Sequence, residues 1–246
     1  MERHPRDKWG TVEDAEMWIP QPKILLEGTH LTRKTDIAFE LAEHADIIGH
    51  RRRRWHIPLI SAEWQTRSDF QPTKSTPGRS MIDFLPEERD WAVDCFETYL
   101  RLLELNRDYY WIIDRFHVST MAYQRQVYHH DFELDWVDSR LAALGVVLVH
   151  CHRVPDTFKA ARQHRLTYSE NPHNYDDLEV FIQEQELMSR LVARSAMPSI
   201  TVDVSDGDVT RIALEIIGRV KELDLFFRPK HVGVEQTVVK PRAGLG

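Results

Sequence analysis

The sequence predicts an α/β fold: a mostly parallel sheet with helices on both faces. Three observations carry that reading. Short apolar runs of strand length recur along the chain and alternate with longer stretches of helical periodicity. Gly, Pro or charged residues punctuate the joints between them. The length, 246 residues, suits one large α/β domain with a full core better than two small ones.

Composition narrows the function classes. The formal net charge is −7, which argues against nucleic-acid affinity over the whole surface and leaves room only for a local basic patch. The two cysteines, Cys95 and Cys151, supply neither a disulfide framework nor a zinc spacing and suit a reducing, cytoplasmic setting. No apolar run reaches membrane-spanning length. The opening residues MERHPRDKWG lack the apolar core of a signal peptide. There is no internal repeat or low-complexity segment.

Taken in order, residues 1–22 read as a polar N-terminal extension with Trp9 and Trp18 available to pack on the domain or on a partner subunit. Lys23–Glu27 is the first strand. It stops at Gly28, a polar loop follows, and a helix runs from about Thr35 to Ile48 with Ile37, Leu41 and Ala45 on one face. Arg51–Arg54 reads as a solvated turn or as a contact for a phosphate-rich ligand. Ile57–Ala62 is the second strand, with Glu63 and Trp64 directly behind it. Residues 65–80 form a long Ser/Thr/Pro/Gly loop. A helix opens at Pro86-Glu87-Glu88 and ends near Asn106. Tyr109–Ile113 is a buried strand, Phe132–Leu144 a helix stopped by Gly145, and Val146–His150 a mid-sheet strand. Helices follow from Pro155 and over Asp176–Arg194, then the strand Pro198–Val204 and the helix Asp206–Glu222. Residues 225–246 are a tail.

Two stretches carry chemistry. PKILLEGTHLTRKTDI has the order strand, loop, Lys-Thr, helix of a phosphate-binding loop, G-x-x-x-x-G-K-[ST], with Arg33 in place of the second Gly. The strand YYWII ends in Asp114-Arg115. An acid and an arginine at the carboxyl end of a strand can bind a metal and a phosphoryl group, or can simply pair and cap the next helix. Glu63 sits at another strand end, where catalytic carboxylates occur. His44, His50, His129, His130, His150 and His152 show no zinc spacing with a companion acid.

With both motifs in order, the chain resembles the thymidylate kinase and deoxynucleoside kinase group of nucleotide kinases. ILLEGTHLTRKT is similar to that group's first strand and phosphate loop. DRFHVSTMAYQ is similar to its D-R-[YF]-x-x-S-x-x-A-Y-Q run at Asp114, Arg115, Phe116, Ser119, Ala122, Tyr123 and Gln124. VVLVHCHRVPDTFKAARQHR and SITVDVSDGDVTRIALEII are similar to the lid segment and to the last strand and helix. The resemblance covers roughly residues 23–222. It implies a three-layer P-loop kinase fold over 23–224, with a five-stranded sheet and a lid near 159–175.

It also implies roles. Gly28, Thr29, His30, Leu31, Thr32, Arg33, Lys34 and Thr35 would cradle ATP, with Lys34 on its β- and γ-phosphates. Thr35 and Asp114 would hold Mg²⁺. Arg115 would bind the transferring or acceptor phosphate, and Arg162 and Arg165 would close over the nucleotide. Phe84, Tyr123 and Trp64 would stack on the acceptor base. Glu63 would serve as general base for a hydroxyl acceptor. A homodimer is a further expectation from the resemblance.

The sequence departs from the group at two loop positions. Arg33 replaces a glycine that allows close packing, and His30 replaces the acid of G-x-D that positions the acceptor. Ala62-Glu63-Trp64 stands where thymidylate kinases carry Arg-Glu-Pro, closer to deoxynucleoside kinases, whereas Asp114-Arg115 stands where the latter carry Glu-Arg. The acceptor classes therefore include a nucleotide, a nucleoside, a modified form of either, and a hydroxyl on nucleic acid. A nucleotide-binding protein without transferase activity, and an unrelated α/β protein with a chance G-x(5)-K-T, are the alternatives.

Overall fold

A computed structural model describes residues 22–48, 59–64, 79–107, 109–169 and 172–224. The expectations for Trp9, Trp18, Arg51–Arg54 and the terminal tail lie outside these residues. The strands are β1 (Lys23–Glu27), β2 (Leu59–Ile60), β3 (Trp111–Asp114), β4 (Val146–His152) and β5 (Ser199–Asp203). The helices are α1 (Lys34–Glu43), α2 (Ala45–Ile48), α3 (Arg89–Leu105), α4 (His117–Tyr128), α5 (Asp135–Ala143), α6 (Phe158–Leu166), α7 (Leu178–Ala193) and α8 (Val209–Glu222).

All five strands are parallel, in the order β2-β3-β1-β4-β5. A central parallel strand must bury both faces, and β1 does: Ile24, Leu25 and Leu26 are all fully buried. Each such side chain contributes about 2 kcal/mol of burial. Leu25 faces one core, with Phe96, Phe116, Val137 and Leu148 under α3, α4, α5 and α7. Ile24 and Leu26 face the other, with Ile37, Leu41, Ile212 and Ile216 of α1 and α8. These two cores make the three layers. β5 is an edge strand, and its alternate exposed and buried residues leave Ser199, Thr201 and Asp203 to solvent.

The boundaries differ from expectation in ways with local causes. The first helix breaks at His44, whose extended backbone (φ −74, ψ 134) lets its Nδ1 accept from the Asp46 N–H and start a new turn. The second strand ends at Ile60, because Ala62, Glu63 and Trp64 wind into a 3-10 turn; its expected start at Ile57 lies outside the described residues. Pro86–Glu88 and Pro155–Thr157 likewise form 3-10 turns before α3 and α6, with Pro tolerated at the start. Asp177 and Asp208 cap α7 and α8 by accepting from the N–H groups of Glu179 and Arg211.

The register sets the site. Leu26 lies beside Asp114 of β3, and Glu27 lies beside His150 of β4. The carboxyl ends of β1, β3 and β4 therefore release their loops side by side, where ligands of open α/β sheets bind.

Candidate active site

The loop after β1 is shaped by what surrounds it. A Cβ on Gly28 would sit 2.6 Å from the Cys151 carbonyl oxygen of β4, so only glycine lets the chain turn there. Leu31 and Arg33 both adopt left-handed backbone, φ 67 and φ 57, at a cost of about 1 kcal/mol each for residues bearing a Cβ. Arg33 thus takes the conformation that the glycine of the motif takes freely. Its side chain leads away from the loop centre: Nε donates to Asp36 Oδ2 at 2.9 Å and Nη1 to the Gly207 carbonyl at 2.7 Å.

Lys34 opens α1, and its buried Nζ donates to the Thr29 carbonyl at 2.6 Å and to Thr32 Oγ1 at 3.0 Å. Thr32 Oγ1 itself donates to the Thr29 carbonyl at 2.8 Å. Burial, then the nearby Arg115 charge, pull the Lys34 amine below its ordinary range. Beside it, Thr35 Oγ1 donates to Asp114 Oδ2 at 2.6 Å. The other Asp114 oxygen, Oδ1, is buried with no hydrogen-bond partner, and burial raises this carboxyl group above its usual range. A hydroxyl and a carboxylate with one unused oxygen form a donor set suited to a hard divalent cation that keeps most of its other ligands from phosphate and water.

Arg115, left-handed at φ 63, is buried among acceptors. Nε donates to Ser119 Oγ at 3.0 Å and Nη2 to Glu184 Oε1 at 3.1 Å, while Glu63 Oε2 lies 3.8 Å from Nη1. Burial opposes its charge, but Glu184 and Glu63 more than offset that and raise its pKa. His30 Nε2 lies 3.3 Å from Nη1. A guanidinium can only donate, so Nε2 accepts and His30 is neutral with its proton on Nδ1. Burial and the Arg115 charge hold its pKa at about 4. The His30 ring packs edge-on against Phe181 and Tyr175. Glu184 also accepts from Thr29 Oγ1, joining α7 to the phosphate loop. Burial would raise the Glu63 carboxyl, but the Arg115 charge, with Lys34, holds it below its ordinary range.

These groups line a cavity of about 540 Å³. His30, Leu31, Arg33, Lys34, Thr35, Glu63, Asp114, Arg115 and Arg165 all reach its wall, as does Trp64. Gly28, Thr29 and Thr32 belong to the loop but do not border the cavity. Arg165 donates to Tyr175 Oη at 3.0 Å and lies over the Tyr168 and Tyr175 rings. Arg162 does not line the cavity: its guanidinium is bound to the Tyr175 carbonyl at 2.7 Å and to Asp176 at 2.6 Å. Phe84 is fully buried against Phe132 in the core, and Tyr123 packs on Tyr128 away from the cavity. Of the three aromatic candidates for base stacking, only Trp64 borders the space.

Four participants escaped the sequence reading. Glu27 accepts from the Phe116 and Val118 N–H groups at 2.9 and 3.1 Å, fixing the N-terminus of α4 and with it the Asp114-Arg115 turn. Glu184 and Gln185 come from positions with no motif, and Arg153 lies inside the quoted VVLVHCHRVPDTFKAARQHR run without a role assigned to it. A buried acid ending an apolar strand was a readable hint for Glu27; the other three had none. His150 is buried with Nε2 unpartnered, its pKa lowered to about 4 by burial and His152.

No protein-family model matches the chain, and no curated protein does. Solved structures do. The YorR protein of Bacillus subtilis, solved in complex with phosphorylated GDP, superposes with a TM-score of 0.54 at 17% identity, over 83% of this chain and 99% of that one. Deoxyadenosine kinase from M. mycoides with bound dATP gives 0.49 at 10% identity, over 81% and 99%. At these identities the shared property is the fold: a five-stranded parallel α/β sandwich of the same architecture as the YorR protein.

Proposed function

We propose that this chain is an ATP- and Mg²⁺-dependent phosphotransferase that moves the γ-phosphoryl group to a hydroxyl of a nucleoside-type acceptor. The observation that carries the reading is the pairing of Thr35 Oγ1 with Asp114 beside the Lys34 loop, with Asp114 Oδ1 buried and unsatisfied. Thr35 and Asp114 would hold Mg²⁺, whose chemistry is to neutralise charge shared between the β- and γ-phosphates. Lys34 and the N-terminus of α1 supply positive charge to the same phosphates. Arg165, on a segment we assign as a lid, covers the donor. Arg115 faces the transferring group.

The acceptor follows from charge. An acceptor phosphate would need free cations at its end of the cavity, and Arg115 is already matched there by Glu184 and Glu63. A hydroxyl has no such requirement. Glu63 is half-exposed at the cavity wall and ionised, so its carboxylate can take the hydroxyl proton as the oxygen attacks. Trp64 next to it offers a face for a base.

The test is transfer of labelled γ-phosphate from MgATP across nucleosides, nucleoside monophosphates and hydroxymethylated DNA. Label on a nucleoside hydroxyl is expected. Label confined to monophosphates overturns the acceptor assignment, and label on DNA replaces it with a nucleic-acid hydroxyl. A protein that binds ATP but labels nothing is the non-catalytic alternative, for which the strained Leu31 and Arg33 positions are the motivating feature.

A further inference from the structure

Arg153 follows β4 directly and is buried. Its guanidinium spans two loops. Nε donates to the Leu31 carbonyl of the phosphate loop at 3.1 Å. Nη1 donates to the Ser205 carbonyl at 2.9 Å and to Thr157 Oγ1 at 3.3 Å, and Nη2 to the Val204 carbonyl at 2.8 Å. Its backbone is held just as firmly. The Gln185 side-chain amide accepts from the Arg153 N–H and donates to the Arg153 carbonyl, both at 2.8 Å. Arg33 adds a parallel tie from the loop to the Gly207 carbonyl. The turn 204–207 and the phosphate loop are therefore lashed together at two points, and Ser205, Asp206, Gly207 and Arg153 itself all border the cavity.

The acceptors around Arg153 are unusual. All four are neutral oxygens, and no carboxylate pairs with it among the described residues. Asp203 and Asp206 lie near enough to favour its charge, but burial outweighs them and lowers its pKa, so an anion brought to this guanidinium is favoured. It stands next to the loop read as the phosphate-donor site.

We infer that Arg153 is a positioning residue for the phosphate donor: it holds Leu31 in its left-handed conformation, doing by hydrogen bonds what a glycine-rich loop does by geometry, and leaves its own charge for the donor phosphates. The inference rests on the reading of this loop as the donor site. It also predicts that the donor is sensed by loop and turn as one rigid frame, so that loosening Arg153 harms transfer more than binding.

The experiment uses the full chain with Arg153→Lys, Arg153→Gln and Thr157→Val. The readouts are binding of magnesium tripolyphosphate by calorimetry, melting temperature without ligand, and kcat and KM for both substrates. Lysine keeps the charge but cannot reach four acceptors, so tripolyphosphate affinity should stay within ~3-fold while kcat falls ~30-fold, the scale of a displaced reacting group. Glutamine should lose ~10-fold or more in tripolyphosphate affinity as well. Thr157→Val removes the Arg153 contact together with the exposed bond from the Thr157 hydroxyl to the Val154 carbonyl, and should lower kcat ~3-fold with the acceptor KM and the melting temperature little changed. Unchanged kcat in both Arg153→Lys and Thr157→Val overturns the inference, as does full tripolyphosphate affinity in Arg153→Gln. Wild-type protein that binds no tripolyphosphate, with Lys34→Ala making no difference, sinks the donor reading and this inference together.

Discussion

Lys34 and Arg115 are two buried cations on the wall of one cavity, and the protein treats them in opposite ways. Around Lys34 the partners are a carbonyl and a hydroxyl, Thr29 O and Thr32 Oγ1. Around Arg115 they include two carboxylates, Glu184 and Glu63. The consequence is visible in the direction of their pKa values: down for Lys34, up for Arg115. The Lys34 side therefore keeps positive charge in reserve for an anion. The Arg115 side is already close to neutral and carries a carboxylate to spare. A cavity so divided suits a polyphosphate at one end and an uncharged hydroxyl at the other.

Breaking the donor side should have the largest effect. Lys34→Ala is expected to lower phosphoryl transfer by ~10³-fold, as removal of a preorganised charge from a transition state does. Its melting temperature should stay level or rise, because a buried amine with no ion-pair partner among the described residues has gone. Steady-state transfer assays beside thermal melts check both halves of that statement.

Glu184→Leu should do the reverse. It strips Arg115 of its buried partner and should destabilise the fold by about 3 kcal/mol, measured by urea unfolding. If Lys34→Ala proved the more destabilising of the two, the contrast between the halves would fail.

Glu63→Gln sharpens the acceptor side. It should reduce kcat ~10²-fold for a hydroxyl acceptor and abolish the acid limb of the pH–rate profile, with the donor KM unmoved. A variant with an unaltered rate would mean that the acceptor oxygen is already ionised, as in a phosphate.

A smaller effect comes from His30. The unfolded chain takes up a proton near 6.5, whereas folded His30 refuses it until about 4. Stability is therefore lost as pH falls through that window. Gln at this position can still accept from Arg115 without titrating. His30→Gln should make the acid loss shallower by about 3 kcal/mol at the lower end of the window, read from melts between the two pH values. Identical acid limbs would place His30 outside the buried network.

The smallest effect separates two arginines that the sequence treats alike. Arg162→Ala should change kcat and the donor KM by less than ~3-fold, since its guanidinium is held by the Tyr175 carbonyl and Asp176 and does not itself border the cavity. Arg165→Ala is the comparison, and equal losses in both would show that Arg162 reaches the nucleotide.

Much of this was legible before any coordinates, for reasons that are local. The run Ile24-Leu25-Leu26, the stop at Gly28 and the Lys34-Thr35 pair lie within a dozen residues, and the strand-loop-helix they specify depends on short-range sterics and hydrogen bonding. Asp114-Arg115 at a strand end is read the same way. That Thr35 meets Asp114 followed once both were placed at the carboxyl edge of one parallel sheet. The aromatic candidates fared worse. Phe84 and Tyr123 had the right chemistry, but which side of a helix or turn faces a cavity is decided by packing, and the core claimed Phe84.

What the sequence determined by itself was thus the α/β alternation, the strand-loop-helix that carries the Lys34-Thr35 pair, and the strand-end acids, because each is written in residues close along the chain. What only the tertiary structure decided was the company those residues keep. Glu184 meets Thr29 across 155 positions and Arg115 across 69, and Arg153 reaches Leu31 across 122. No periodicity encodes such contacts. They exist because the strand order brings α7 and the ends of β4 and β5 around the loop after β1. Burial then forces each charge to find a carboxylate, a carbonyl or a ligand.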